Sequence, residues 1–133
     1  MLKVLILDDD RISLKLAERI VATTGCEAIP VDNSKRAKIL LSQDKYDIII
    51  TDIVMPGEDG FDFIQFIHDK HLDSKIIAVS AGYEGMGADM MLRSAESIGV
   101  DFVVEKPFDS TFKDTIKDCV HQLIRHRRAQ ATQ

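Results

Sequence analysis

The sequence predicts a doubly wound α/β fold built on a five-stranded parallel sheet. Three observations carry that expectation. Short apolar runs alternate five times with segments of helical period. The strongest runs lack polar alternation, the habit of strands buried on both faces. Four of the five end in a polar group, at the sheet edge where open parallel sheets place their chemistry.

The elements follow in order. Residues 3–8 read as a strand ending in Asp8-Asp9-Asp10. Ile12, Leu16, Ala17, Ile20 and Val21 then recur at helical spacing, and Gly25 stops that helix. Glu27 to Val31 is a weaker strand, placed near an edge because Pro30 has no amide to give a ladder. Ala37, Leu40 and Leu41 mark a short helix. Tyr46-Asp47-Ile48-Ile49-Ile50-Thr51-Asp52 is the most apolar strand, and it runs into the Pro/Gly turn Met55-Pro56-Gly57. Phe61, Ile64 and Ile67 form the inner face of the helix after Gly60. Lys75 to Ser80 is the fourth strand, followed by a glycine-rich loop (Gly82, Gly85, Gly87) and a helix with Met90, Met91, Ala95 and Ile98, whose methionines read as core packing. Asp101 to Glu105 is the fifth strand, ending in Lys106-Pro107-Phe108. A last helix from about Asp109 or Ser110 buries Phe112, Ile116, Val120 and Leu123. Residues 126–133 are expected as a basic tail, fraying from Ala129 to Gln133.

Size and charge narrow the function. A chain of 133 residues makes one domain, residues 1–133, with a core of about 3–125. Its net charge of -5 argues against a general nucleic-acid binder. No apolar stretch reaches membrane-span length and no signal pattern precedes Lys3, so the expected setting is cytoplasmic, with Met1 a natural start. Cys26 and Cys119 lack metal-type spacing and read as unpaired thiols. His68 and His71, three apart, read as solvated helix residues rather than metal ligands. The basic run Arg125 to Arg128 reads as a solvated helix end, where the helix dipole favours cations.

The strand ends carry the chemistry. The first gives Asp8 and Asp9, the third Asp52, the fourth Ser80 and the fifth Lys106. Each alone has an ordinary reading: Asp8 to Asp10 as a helix cap, Asp52 and Ser80 as turn residues, Lys106 as a surface cation. Together, at successive parallel strand ends, they converge. Clustered carboxylates raise one another's pKa unless a cation neutralises them. A divalent ion with oxygen ligands does so, and Mg²⁺ uses one or two carboxylates while leaving positions for phosphate oxygens. A lysine and a hydroxyl opposite suit the remaining oxygens of a transferred phosphoryl group.

The motifs Leu5-Ile6-Leu7-Asp8-Asp9-Asp10, Thr51-Asp52-Ile53-Val54-Met55-Pro56-Gly57-Glu58-Asp59-Gly60, Val79-Ser80-Ala81 and Val104-Glu105-Lys106-Pro107-Phe108 make the chain resemble a receiver domain of the two-component response-regulator family. The resemblance covers residues 3–125 and implies the flavodoxin-like (βα)5 three-layer sandwich with strand order 2-1-3-4-5. It implies a single-domain response regulator, a signalling phosphoacceptor rather than an enzyme. Asp52 would take the phosphoryl group from a sensor histidine kinase or a histidine phosphotransfer protein. Asp9, Asp52 and the backbone carbonyl of Val54 would bind Mg²⁺ directly, with Asp8 acting mainly through water. Ser80 would hydrogen-bond the aspartyl phosphate, Lys106 would pair with it, and the Lys106-Pro107 bond would be cis. Phosphorylation would then change binding of a downstream effector at the helix 4–strand 5–helix 5 face, or pass the group onward.

Three departures stand out. Val103 occupies the position where the family usually has an aromatic, with Phe102 before it expected to face the other way. The segment Gly82-Tyr83-Glu84-Gly85-Met86-Gly87 marks an insertion beside the site. Val54 and Gly82, at positions that tune phosphate lifetime in the family, bring no group that would assist hydrolysis. The competing reading is a small haloacid-dehalogenase-type phosphohydrolase with Asp8 as nucleophile, which leaves the Asp52 to Gly60 motif without a purpose.

Overall fold

The computed structural model describes residues 1–55, 58–70, 72–81 and 87–131. The elements are β1 (Lys3–Leu7), α1 (Arg11–Thr23), β2 (Glu27–Val31), α2 (Ser34–Gln43), β3 (Ile48–Asp52), β4 (Val54–Met55), β5 (Glu58–Asp59), α3 (Gly60–Asp69), β6 (Lys75–Ser80), α4 (Ala88–Ser97), β7 (Phe102–Glu105) and α5 (Ser110–Ala131). Five strands form one parallel sheet in the order β2-β1-β3-β6-β7. Counting the sheet's own strands, that is the expected order 2-1-3-4-5. The remaining two, β4 and β5, make a short antiparallel pair within what the sequence reads as a turn.

Burial explains why β3 is central. All five of its residues are buried, whereas β2 shows only Val31 buried and lies at the edge with Pro30. Burying an isoleucine side chain contributes about 1.5–3 kcal/mol. Strand propensities differ by only about 1 kcal/mol, so burial decides the strand's place. Strand residues alternate between the two faces. Val4, Ile6, Ile48, Ile50, Ile77 and Val79 meet α1 and α5, while Leu5, Leu7, Ile49 and Ile76 meet α2 and α3. A smaller cluster of Ile53, Ala78 and Ala95 carries α4.

Several helix faces differ from expectation. Ile12 is 80% and Leu16 41% exposed. Ala17 and Val21, with Leu14 and Ile20 beside them, form the face of α1 that meets the sheet. Both sets have helical period, and period alone does not say which stripe faces inward. Met90 is 58% exposed rather than core, and Ala95 carries the packing of α4 instead. Phe63 joins Ile64 and Ile67 as the buried face of α3, with Phe61 half-buried. Cys119 packs in α5 between Ile116 and Leu123, and Val120 is only partly buried.

In the described residues α5 is helical to Ala131, into the stretch the sequence reads as a frayed tail. Gln130 contacts His126 one turn back, and Arg128 lies in the last turn, where the dipole favours a cation. Arg127 is not simply solvated, because it pairs with Asp47. Nor is His68 a solvated residue: its ring lies beside Gly99, and its Nε2 is buried without a hydrogen-bond partner among the described residues. His71, Pro56, Gly57 and the Gly82–Met86 part of the glycine-rich loop lie outside the described residues.

The edge of the sheet opposite the strand ends is closed by polar ties. Asp47 accepts from the Lys3 amide at 2.7 Å and from Arg127, and Lys3 pairs with Asp44. A cleft of about 670 Å³ lies there, bordered by Leu41, Tyr46, Leu72 and Leu123. It holds none of the strand-end residues that the sequence singles out, so cleft size is a poor guide to chemistry here. Among the described residues, no helix is long and apolar enough to cross a membrane.

Two outcomes follow from these contacts. Burial, with a smaller push from Asp101, raises the Cys119 thiol to about 12. Alkylation followed by mass spectrometry should find Cys119 unmodified in native protein and modified only on unfolding, since the thiolate is the reactive form. Asp10 caps α1 and is held below the usual carboxylate range by hydrogen bonds from the Ser13 hydroxyl and amide. Its folded pKa lies below its unfolded one, so its stabilising effect is present above the ordinary carboxylate range and lost as pH falls through the lowered value. Thermal melts of Asp10→Ala should therefore fall below wild type at neutral pH and converge with it in acid.

Candidate functional site

Asp8 follows β1, Asp52 ends β3 and Lys106 follows β7, so three strands of one parallel sheet deliver three charged groups to one edge. The Lys106 Nζ donates to Asp8 Oδ2 and to Asp52 Oδ2, both at 2.7 Å. The other oxygen of each carboxylate is held by the chain itself. Asp8 Oδ1 accepts from the Asp10 amide at 2.9 Å, and Asp52 Oδ1 accepts from the Val54 amide at 3.0 Å. In both, an aspartate binds the backbone two residues on, the local turn that short acidic side chains favour. The two buried carboxylates are thereby fixed in rotation as well as in position.

Neighbouring contacts set the walls. Ser80 ends β6 fully buried, one residue beyond Val79, the register partner of Asp52. The Lys106 amide donates to the Ser80 carbonyl at 3.0 Å, which ties the hydroxyl-bearing residue to the lysine-bearing one. The peptide bond from Lys106 to Pro107 is cis. The Phe108 ring lies 5.9 Å from the Lys106 Nζ and stacks on Phe112. Asp9 stands exposed at the rim, and Asp10 turns away to cap α1. The aspartate run thus divides its labour: Asp8 and Asp9 face the site, Asp10 the helix.

The site carries excess negative charge. Burial pushes Asp52 above the usual carboxylate range, and Lys106 only partly pulls it back. Burial also opposes the Lys106 charge, yet hydrogen bonds and charges from Asp52 and Asp8 outweigh it and raise the ammonium's pKa. Asp9 is raised too, by its partial desolvation and then by Asp8. One ammonium thus faces three carboxylates. One oxygen from each of Asp8, Asp9 and Asp52 lies within 4.8 Å of the others. Hard oxygen donors at that spacing, short of positive charge, fit a divalent cation such as Mg²⁺.

The structure therefore brings together Asp8, Asp9, Asp52 and Lys106, with Ser80 on the adjoining strand. Phe102 and Val103 take opposite faces of β7 as the alternation requires. Phe102 packs toward α5, and Val103 lies half-buried with Ile53, Ala78 and Ala95. Residue-type reasoning did not find Thr51, fully buried with its hydroxyl donating to the Asp52 carbonyl at 3.0 Å. It also missed the backbone amides of Asp10 and Val54, which every residue but proline possesses and no motif announces.

Comparison with known proteins agrees with this geometry. The family model for the response regulator receiver domain matches residues 4–116. Hybrid signal transduction histidine kinase C of Dictyostelium discoideum is 30% identical over 129 residues, covering 89% of this chain and 10% of the kinase. The chain thus spans about a tenth of that relative's length. Among solved structures, the response regulator TrrA of Thermotoga maritima, in complex with Mg²⁺ and BeF, is 28% identical with a TM-score of 0.73, over 90% of this chain and 99% of that one. A two-component response regulator from Clostridium difficile gives a TM-score of 0.80 at 20% identity, over 92% and 98% of the two chains, a likeness of fold. This chain belongs to the response regulator receiver domain family.

Proposed function

We propose that Asp52 is the phosphoacceptor of a two-component signalling module, taking its phosphoryl group from a histidine kinase or a histidine phosphotransfer protein. The observation that carries this reading is the shared ammonium: Lys106 holds one oxygen each of Asp8 and Asp52, beside a third carboxylate. Asp8, Asp9, Asp52 and the Val54 carbonyl would hold Mg²⁺. When bound, that ion neutralises the site and the phosphoryl oxygens, the charge stabilisation on which phosphoryl transfer depends.

In the transfer, an Asp52 carboxylate oxygen bonds to phosphorus as the donor's phosphorus–nitrogen bond breaks, and the departing imidazole takes up a proton. The Val54 amide keeps the nucleophilic carboxylate turned to the site. Lys106 pairs with a phosphoryl oxygen, and Ser80 hydrogen-bonds another. The product acts by altering partner binding, as a population shift between two conformations. Residues 3–125 form the receiver core, in a cytoplasmic setting. The phosphohydrolase alternative centred on Asp8 is disfavoured by the family match and by the Asp52 to Gly60 segment, which it leaves without a role.

Intact-mass analysis after incubation with acetyl phosphate and Mg²⁺ tests the assignment. One added phosphoryl group is expected in wild type, lost with EDTA and lost in Asp52→Asn. Label that persists in Asp52→Asn but vanishes in Asp8→Asn, with donor turnover, would sink it. Stability offers an independent check. Because burial raises Asp52, the folded state favours its neutral form, and stability grows as pH falls through the raised value. In EDTA at pH 7, Asp52→Asn should melt about 2–5 °C above wild type, the shift expected for roughly 1 kcal/mol. Lys106→Met should be destabilised by about 3 kcal/mol, since it leaves two buried carboxylates unpaired.

A further inference from the structure

The segment after Asp52 closes on itself at a contact that admits no side chain. Val54 pairs with Asp59 and Met55 with Glu58, and the Gly60 amide donates to the Ile53 carbonyl at 3.0 Å. A Cβ added at Gly60 would lie 2.5 Å from both the Cα and the carbonyl oxygen of Ile53, and 2.6 Å from the carbonyl oxygen of Asp52. All three are backbone atoms, so no side-chain rotation relieves the clash. Ile53 has little room to retreat: its amide donates to Val79 at 3.0 Å, and its side chain is buried against Ala78 and Ala95.

The geometry points to Gly60 as a positioning residue for Asp52: by letting the start of α3 press directly on the Asp52–Ile53 backbone, it aims the Val54 amide at the Asp52 carboxylate. The link is short. Val54 follows Ile53, and its amide holds Asp52 Oδ1. A side chain at Gly60 drives Ile53 and α3 apart, tilts the Val54 peptide and frees the carboxylate to rotate. The same tilt moves the Val54 carbonyl. This inference rests on the reading of Asp52 as phosphoacceptor, but its primary readout does not.

The test compares ¹⁵N-labelled wild type, Gly60→Ala and Ile67→Val, the last a core variant on the same helix that lowers stability without touching the contact. In EDTA, the Val54 amide proton should move upfield in Gly60→Ala as its carboxylate partner is lost, and stay in place in Ile67→Val. With saturating Mg²⁺ and acetyl phosphate, labelling of Gly60→Ala should slow about fivefold, the scale of one lost hydrogen bond, while Ile67→Val labels at the wild-type rate. A Val54 amide that does not move, or labelling slowed equally in both variants, overturns the inference. If Gly60→Ala does not fold, hydrogen exchange of wild type decides. The Gly60 and Val54 amides should then be protected together, and a Val54 amide exchanging freely beside a protected Gly60 overturns the inference. Wild-type label that survives Asp52→Asn would instead defeat the phosphoacceptor reading, leaving the Val54 shift to stand alone.

Discussion

One ammonium shared by two buried carboxylates is the constraint on which the site depends. Asp8 and Asp52 lie on adjacent strands, and the register of β1 with β3 brings their ends side by side. Without a cation between them their repulsion in a desolvated setting would force one to take a proton. Lys106 supplies that cation from the far edge strand and so ties β7 to the two central strands. The sheet order is therefore an electrostatic arrangement as much as a packing one. Burial still holds Asp52 above the usual carboxylate range, with Lys106 pulling it only partly back.

Besides Lys106, contacts with the backbone hold Asp52 in place. Its carbonyl takes the Thr51 hydroxyl, its carboxylate takes the Val54 amide, and the next residue is held by β6 on one side and Gly60 on the other. Such contacts leave the Asp52 carboxylate little conformational freedom. The helix-facing side of β7 is built differently. Val103 packs among small residues, and its branched side chain has few rotamers to exchange. Val103 brings no aromatic ring to this face, only contact with Ile53, Ala78 and Ala95.

Much of the fold was legible because buried parallel strands write continuous apolar runs, and Ile48-Ile49-Ile50 leaves little choice. The strand-end residues were legible for the same reason, since the end of each run names the residue at the edge. What failed was orientation. Ile12 and Leu16 share the period of Ala17 and Val21, so only tertiary contact reveals which pair faces the sheet. Met90 failed likewise, an apolar residue left outward on α4. His68 failed because its ring packs beside Gly99, thirty-one residues on, a contact that no local pattern announces. The Arg127 to Asp47 pair spans eighty residues and belongs to no local pattern.

The contact between Lys106 and Asp8 joins positions ninety-eight residues apart, close to the two ends of the sheet's sequence. During synthesis the carboxylates therefore leave the ribosome long before the lysine that balances them. An emerging chain that has made β1 and β3 carries an acidic edge that Lys106 does not yet balance. The acidic pair at this edge of the sheet is in that sense balanced only once the chain has reached Lys106.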